Sequence, residues 1–141
     1  EGDWQVVGLS RRPAKNSPRY THVSVDLLDL DDVAAKLGKL RDVTHVFYAA
    51  FQPGTGNAAN YANVIAPNRD MLVNAVSAVA QASRALQRVV LVTGTKYYGT
   101  HLGPLKTPMR ETDPRHMPPD FYFDQIDWLT DFQRGKKWSW T

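Results

Sequence analysis

Arg88-Val89-Val90-Leu91-Val92-Thr93-Gly94 is the most strand-like stretch of this sequence, and its flanks decide the fold. Four consecutive Val and Leu residues suit a strand covered on both faces, and Thr93-Gly94 breaks it. Upstream, from about Asn60 to Ala85, Ile65, Leu72, Val76, Val79 and Leu86 trace a stripe at helical spacing. Pro67 inside that stretch predicts a late start or a kink. Before the helix, Thr44-His45-Val46-Phe47-Tyr48-Ala49-Ala50 reads as another strand, followed by a Pro53-Gly54-Thr55-Gly56 loop. Strand, long helix, strand is a βαβ unit, and it predicts a parallel sheet.

The alternation continues outward in both directions. Trp4 to Leu9 is a nearly all-apolar run, expected as a strand covered on both faces, and it stops at Ser10-Arg11-Arg12-Pro13 because proline cannot continue the ladder. Tyr20 to Val25 is a second strand ending at Asp26. Asp29-Leu30-Asp31-Asp32 supplies a cap and N-terminal negative charge for a helix to about Leu40, with Val33 and Leu37 facing inward. Beyond Gly94 a connection runs to about Pro119, a length that is usually functional. Phe121 to Phe132 is the next helix and Trp138 onward the last strand. There are no internal repeats and no interdomain linker.

This pattern predicts an α/β fold, a doubly wound parallel sheet of the Rossmann type. Such domains open with a strand running into a glycine-rich loop, G-x-G-x-x-G, that holds a pyrophosphate at a helix N-terminus. No such motif occurs here; Gly54 and Gly56 follow a later strand, and no third glycine opens a helix after them. We therefore expect residues 1–141 to be a partial nucleotide-binding domain, with the first strand and glycine loop upstream and later strands and a substrate region downstream.

Composition narrows the chemistry. The 141 residues, 43% hydrophobic and 22% charged, are ordinary for one globular domain. With no cysteine, disulfides, thiolate zinc sites and cysteine nucleophiles are excluded. His22, His45, His101 and His116 show no HxH or HExxH spacing, so no metal is expected. The net charge of +3 comes from scattered Lys and Arg, with only Arg11-Arg12 and Lys136-Lys137 adjacent, so a solvated surface is expected and not a nucleic-acid partner. Trp138-Ser139-Trp140 reads as a strand rather than a base-stacking platform. No apolar run approaches the ~20 residues of a membrane span, and the N-terminus lacks signal-peptide character. A soluble, cytoplasmic chain without a membrane partner is the expectation. A homodimer through helical faces is compatible with the pattern, which does not itself fix an oligomer.

At the end of their second strand, nicotinamide enzymes of this architecture carry a carboxylate for the ribose hydroxyls of NAD, or arginine for the 2′-phosphate of NADP. Here Ser10, Arg11 and Arg12 offer a hydroxyl and two guanidiniums suited to a phosphate dianion, so NADP is the expected cofactor.

Several segments, in order, resemble the progesterone 5β-reductase and iridoid synthase family of atypical short-chain dehydrogenases. They are Gly8-Leu9-Ser10-Arg11-Arg12, Asp42-Val43-Thr44-His45-Val46-Phe47-Tyr48, Thr93-Gly94-Thr95-Lys96-Tyr97-Tyr98, Phe121-Tyr122-Phe123-Asp124 and Trp138-Ser139. The resemblance covers almost the whole chain. It implies NADPH-dependent reduction of the C=C bond of α,β-unsaturated ketones or aldehydes, with a small carbonyl compound as substrate. It also implies Arg11 and Arg12 at the 2′-phosphate, Asp26 and Leu27 along the adenine, Ala50, Phe51, Val92 and Thr93 along the cofactor, and a catalytic pair Lys96 and Tyr122, Tyr122 also bordering the nicotinamide. For Asp26, a turn-capping role is the alternative.

A cation near a phenol makes it a better donor at neutral pH, and a preorganised Tyr122 hydroxyl would stabilise the enolate as hydride reaches the β-carbon. Tyr97 and Tyr98 are competing candidates for the phenol. No tyrosine has lysine four residues later, so the Y-x-x-x-K arrangement of ordinary short-chain dehydrogenases is absent. The chain departs from the family at Tyr97, where His is common, at Phe123 for Tyr, at Phe51 for Trp, and at Ile126 for Glu; the first three keep an aromatic but remove polar groups, which bears on substrate preference more than on reaction type. Two other readings stand beside the first: an extended short-chain dehydrogenase acting as epimerase, dehydratase or carbonyl reductase, and a nucleotide-sensing protein without activity. For residues 1–141 alone, feeble cofactor binding and no turnover are expected.

Overall fold

The computed structural model describes residues 3–54 and 62–141. Thr55 and Gly56 of the expected loop, and the expected helix start at Asn60, lie outside the described residues. In chain order the elements are β1 (Val6–Ser10), β2 (Tyr20–Ser24), α1 (Leu30–Leu37), β3 (His45–Tyr48), α2 (Ala62–Ala82), β4 (Arg88–Leu91), a 3-10 turn (Thr95–Tyr98), α3 (Phe121–Gln133) and β5 (Ser139–Trp140). Every pairing between these strands is parallel: β1 with β2 in one sheet, and β3-β4-β5 in a second. These strands correspond to positions 2 and 3, and 4, 5 and 6, of the Rossmann order 3-2-1-4-5-6.

For α1 the local reasons are those expected. Asp29 caps α1, its Oδ1 accepting from the N–H groups of Asp31 and Asp32, each at 3.0 Å. Lys36 pairs with Asp32 one turn back, and Val33 and Leu37 are buried. Asp120 caps α3 by accepting from the Tyr122 N–H at 2.8 Å. Pro67 lies inside α2, which is already helical from Ala62, so the late start expected at the proline does not occur; its missing N–H leaves one helical hydrogen bond unmade.

One core serves both sheets. Val25 beyond β2, Val33 and Leu37 of α1, Leu72, Val76 and Val79 of α2, Val89 of β4 and Leu129 of α3 belong to a single buried cluster. The helix α2 packs against both α1 and α3. The expectation that β1 is covered on both faces is overturned: Val6, Val7 and Leu9 are exposed, because among the described residues no helix packs substantially over the faces of β1. Phe47 of β3 is likewise 72% exposed. Among the described residues the two sheets adjoin without hydrogen-bonding to each other. The Trp4 ring meets His45 edge-on at 5.0 Å at one end, and the ends of β1 and β3 share a cleft at the other. Among the described residues no helix is long and apolar enough to cross a membrane.

Candidate active site

The carboxyl ends of β1, β2 and β3 converge on a cleft of about 240 Å³. Six of the residues expected at the cofactor line it: Ser10, Arg11, Asp26, Leu27, Ala50 and Phe51, with Leu9 and Met71 adding apolar wall. Crevices outside the carboxyl ends of the strands are where open α/β sheets bind ligands. A larger hollow of about 480 Å³ between α1 and α2, reached by Leu30, Arg41 and Gln81, holds none of the expected site residues and lies away from the strand ends.

The segment bearing the arginines is held by hydrogen bonds that sequence inspection did not anticipate. Ala14 N–H donates to His22 Nδ1 at 3.3 Å, which leaves Nε2–H to donate to Ser10 Oγ at 2.8 Å; Ser10 Oγ–H in turn donates to the carbonyl of Arg12 at 2.7 Å. Ser24 Oγ–H donates to the carbonyl of Arg11 at 2.8 Å. With both carbonyls pinned, the exposed guanidiniums of Arg11 and Arg12 extend from a fixed backbone, and neither is in an ion pair among the described residues. The Arg11 cation and the apolar walls fit an adenosine phosphate, while the Ser10 hydroxyl, its proton committed to the Arg12 carbonyl, braces the backbone. Asp26 lines the cleft and also caps the turn after β2, its Oδ1 accepting from Leu28 N–H at 2.9 Å. Arg12, Val92 and Thr93 do not line the cleft. Val92 leaves β4 exposed, its N–H donating to the Tyr48 carbonyl at 2.9 Å.

The expected catalytic residues stand on adjoining segments. Lys96 is exposed on the 3-10 turn that follows Gly94, and Tyr122 is in the first turn of α3. The Tyr122 hydroxyl rests on Gly94 so closely that a Cβ there would be 2.9 Å from the oxygen. Burial, then the carboxylate of Asp120, push the Tyr122 phenol above its ordinary range, while a hydrogen bond from the Gly94 backbone works the other way. The net direction is opposite to the lowering expected from a nearby cation, and it keeps the phenol protonated, a donor. The α3 start also reaches the cleft: Phe121 stacks on Phe51 at 5.5 Å. Tyr97, a competing phenol, is hydrogen-bonded to the Arg115 guanidinium, and its ring meets Tyr98 and Phe123 edge-on.

Asn68 fastens the segment after β3 to the helices. Its side chain is fully buried, accepts from Gln52 N–H at 2.8 Å, and donates to the carbonyls of Gln52 and Val64 at 2.9 and 2.7 Å. Gln125 of α3 donates to the Asn68 carbonyl at 2.8 Å, joining α3 to the same node. A polar residue directly after the helix proline was the one available signal.

The histidines, distant in sequence, are not all distant in space. His101 and His116 rings meet edge-on at 5.4 Å, and donor atoms of His101, His116 and Asp120 lie within 4.8 Å of one another. Both nitrogens of His116 already face carbonyl or carboxylate acceptors, the pattern of a hydrogen-bonding ring.

The description of a PRISE-like Rossmann-fold domain matches residues 10–141. The chain belongs to the PRISE-like Rossmann-fold family. Among its similar relatives are the short chain dehydrogenase gsfE of Penicillium aethiopicum, 34% identical over 98% of this chain and 38% of the relative, and the 3-oxo-Delta(4,5)-steroid 5-beta-reductase of Arabidopsis thaliana, 35% identical over 96% and 36%. The (S)-8-oxocitronellyl enol synthase of Nepeta cataria is 34% identical over 99% and 37%. This PRISE-like chain thus spans little more than a third of the length of these relatives. Its fold is similar to that of WbmH of Bordetella bronchiseptica, solved in complex with NAD+, with a TM-score of 0.66 and 22% identity over 90% of this chain and 43% of the other. Two of these relatives carry the names of a dehydrogenase and a reductase, and the likeness to WbmH is one of fold.

Proposed function

We propose that the protein reduces the C=C bond of α,β-unsaturated ketones or aldehydes with NADPH. The observation that carries this reading is the Tyr122 phenol, kept protonated, lodged on Gly94 and joined through Phe121 and Phe51 to the cleft at the strand ends. NADPH, when bound, supplies the hydride that goes to the β-carbon. Arg11, in the cleft wall, would hold the 2′-phosphate together with Arg12 just outside it, while Leu27, Ala50 and Phe51 would border the adenosine side. Tyr122 donates its hydrogen bond to the carbonyl oxygen as negative charge develops there, a contact stronger in the transition state than in the ground state. Lys96, exposed on the turn after Gly94, supplies positive charge on that side. Residues 1–141 would form part of the cofactor-binding domain of the whole protein and carry Lys96 and Tyr122. Relatives named as a steroid 5-beta-reductase and an enol synthase support this choice over an epimerase or a sensor.

The test is incubation of the full-length protein with 2-cyclohexenone and NADPH. Cyclohexanone is the expected product, and Tyr122→Phe should lower kcat about 10²–10⁴-fold. An allylic alcohol would move the assignment to carbonyl reduction. Tight NADPH binding without turnover, unaffected by Tyr122→Phe, would make the protein a sensor. A preference for NADH that survives in Arg11→Ala would overturn the cofactor assignment.

A further inference from the structure

One buried polar cluster is left unused by that reading. Asp120 is 1% exposed. Its Oδ1 accepts from Tyr122 N–H at 2.8 Å, and its Oδ2 lies 3.2 Å from Nε2 of His116. The same nitrogen is 3.0 Å from the carbonyl oxygen of Lys96, and His116 Nδ1 is 2.8 Å from the carbonyl oxygen of Met117. All three partners accept, so the ring satisfies them together with an N–H on each nitrogen, as the imidazolium. The ring is also clamped from its sides. Phe123 lies 4.8 Å away, and the ring packs 3.3 Å from where a Cβ on Gly99 would stand, at a position whose φ of +83° favours glycine.

We propose that His116 is a positioning residue whose imidazolium neutralises Asp120 beside Tyr122 and ties the Lys96 turn to the first turn of α3. For its kinetic consequence the inference rests on the enone-reductase reading. The physical need is for a counter-ion. Asp120's negative charge opposes loss of the Tyr122 proton, and left unpaired it would equally oppose charge building on an enolate oxygen held by that phenol. A cation on Oδ2 cancels this field while Oδ1 goes on capping the helix. Through the Lys96 carbonyl, the same ring fixes where the Lys96 turn stands relative to Tyr122. The titratable groups facing the ring are Asp120 from α3 and His101, edge-on, from the loop after the turn; the neighbouring Arg115 is turned away to Asp127.

Full-length protein, His116→Leu, Asp120→Asn and the double variant are compared by titrating Tyr122 with ¹³C-tyrosine NMR and by steady-state kinetics with NADPH and 2-cyclohexenone. His116→Leu should raise the Tyr122 titration midpoint by about one pH unit and lower kcat about tenfold, with KM for NADPH unchanged. Adding Asp120→Asn to His116→Leu should return both values toward the parent, because an uncharged cap needs no counter-ion. If His116 merely fills space, the double variant will be at least as impaired as the single one. That result, or an unmoved Tyr122 midpoint in His116→Leu, overturns the proposal. The titration needs no turnover. A protein that reduces no enone but shows the Tyr122 shift and its reversal therefore refutes the proposed activity and upholds the counter-ion.

Discussion

A hydrogen atom at Gly94 decides how closely Tyr122 approaches the turn that bears Lys96. The φ of −119° at Gly94 suits any residue, so what requires glycine is the approach itself: a methyl group would meet the phenol oxygen at 2.9 Å. Gly94→Ala should displace the phenol by a fraction of an ångström to an ångström and lower kcat/KM for an enone about 10²-fold, with little change in thermal unfolding. Full activity in Gly94→Ala would mean that this contact has no part in turnover. At this scale much of the site was legible. Ser10, Arg11, Asp26, Leu27, Ala50 and Phe51 were named from strand ends and resemblance and do line one cleft. His22, Asn68 and His116 were not legible as anchors, because an anchor is defined by its partner. The carbonyl that His116 holds is 20 positions away, and no sequence pattern marks such a pair.

Among the elements, α2 combines two jobs. Its apolar stripe enters the core, and Asn68 near its start secures the segment that leads from β3 to Phe51. Asn68→Ala removes three side-chain hydrogen bonds and leaves the Gln52 N–H and carbonyl without partners in a partly buried setting. We expect a loss of about 2–3 kcal/mol, read from urea unfolding, together with weaker NADPH binding as Phe51 loosens. Unchanged cofactor affinity would separate the anchor from the cleft. Strand and helix positions were readable to within a few residues because periodicity records burial directly: Val33 and Leu37 on α1, Leu72 and Val76 on α2. For β1 the same reasoning failed. An apolar run states what a strand is suited to bury, and whether its faces are covered depends on neighbours contributed by other parts of the fold.

In the molecule as a whole, one core runs from Val25, just beyond β2, through Leu72 to Val89 of β4, each almost fully buried, and among the described residues the two sheets share no hydrogen bonds. Leu72→Ala should therefore cost about 2–5 kcal/mol and destabilise both sheets together. Far-ultraviolet circular dichroism and hydrogen exchange at β1 and β4 should report one shared change; loss of protection in one sheet alone would contradict a common core. The sequence by itself determined the α/β class, the order of strands and helices, the arginines at the end of β1, and the Lys96 and Tyr122 candidates, since each depends on local spacing or on a segment that resembles a family. Tertiary structure decided which candidates share a cleft, which phenol rests on Gly94, and that His116 meets Asp120 and the Lys96 carbonyl. Those outcomes depend on distances between residues far apart in the chain, and such distances exist only once the helices have packed.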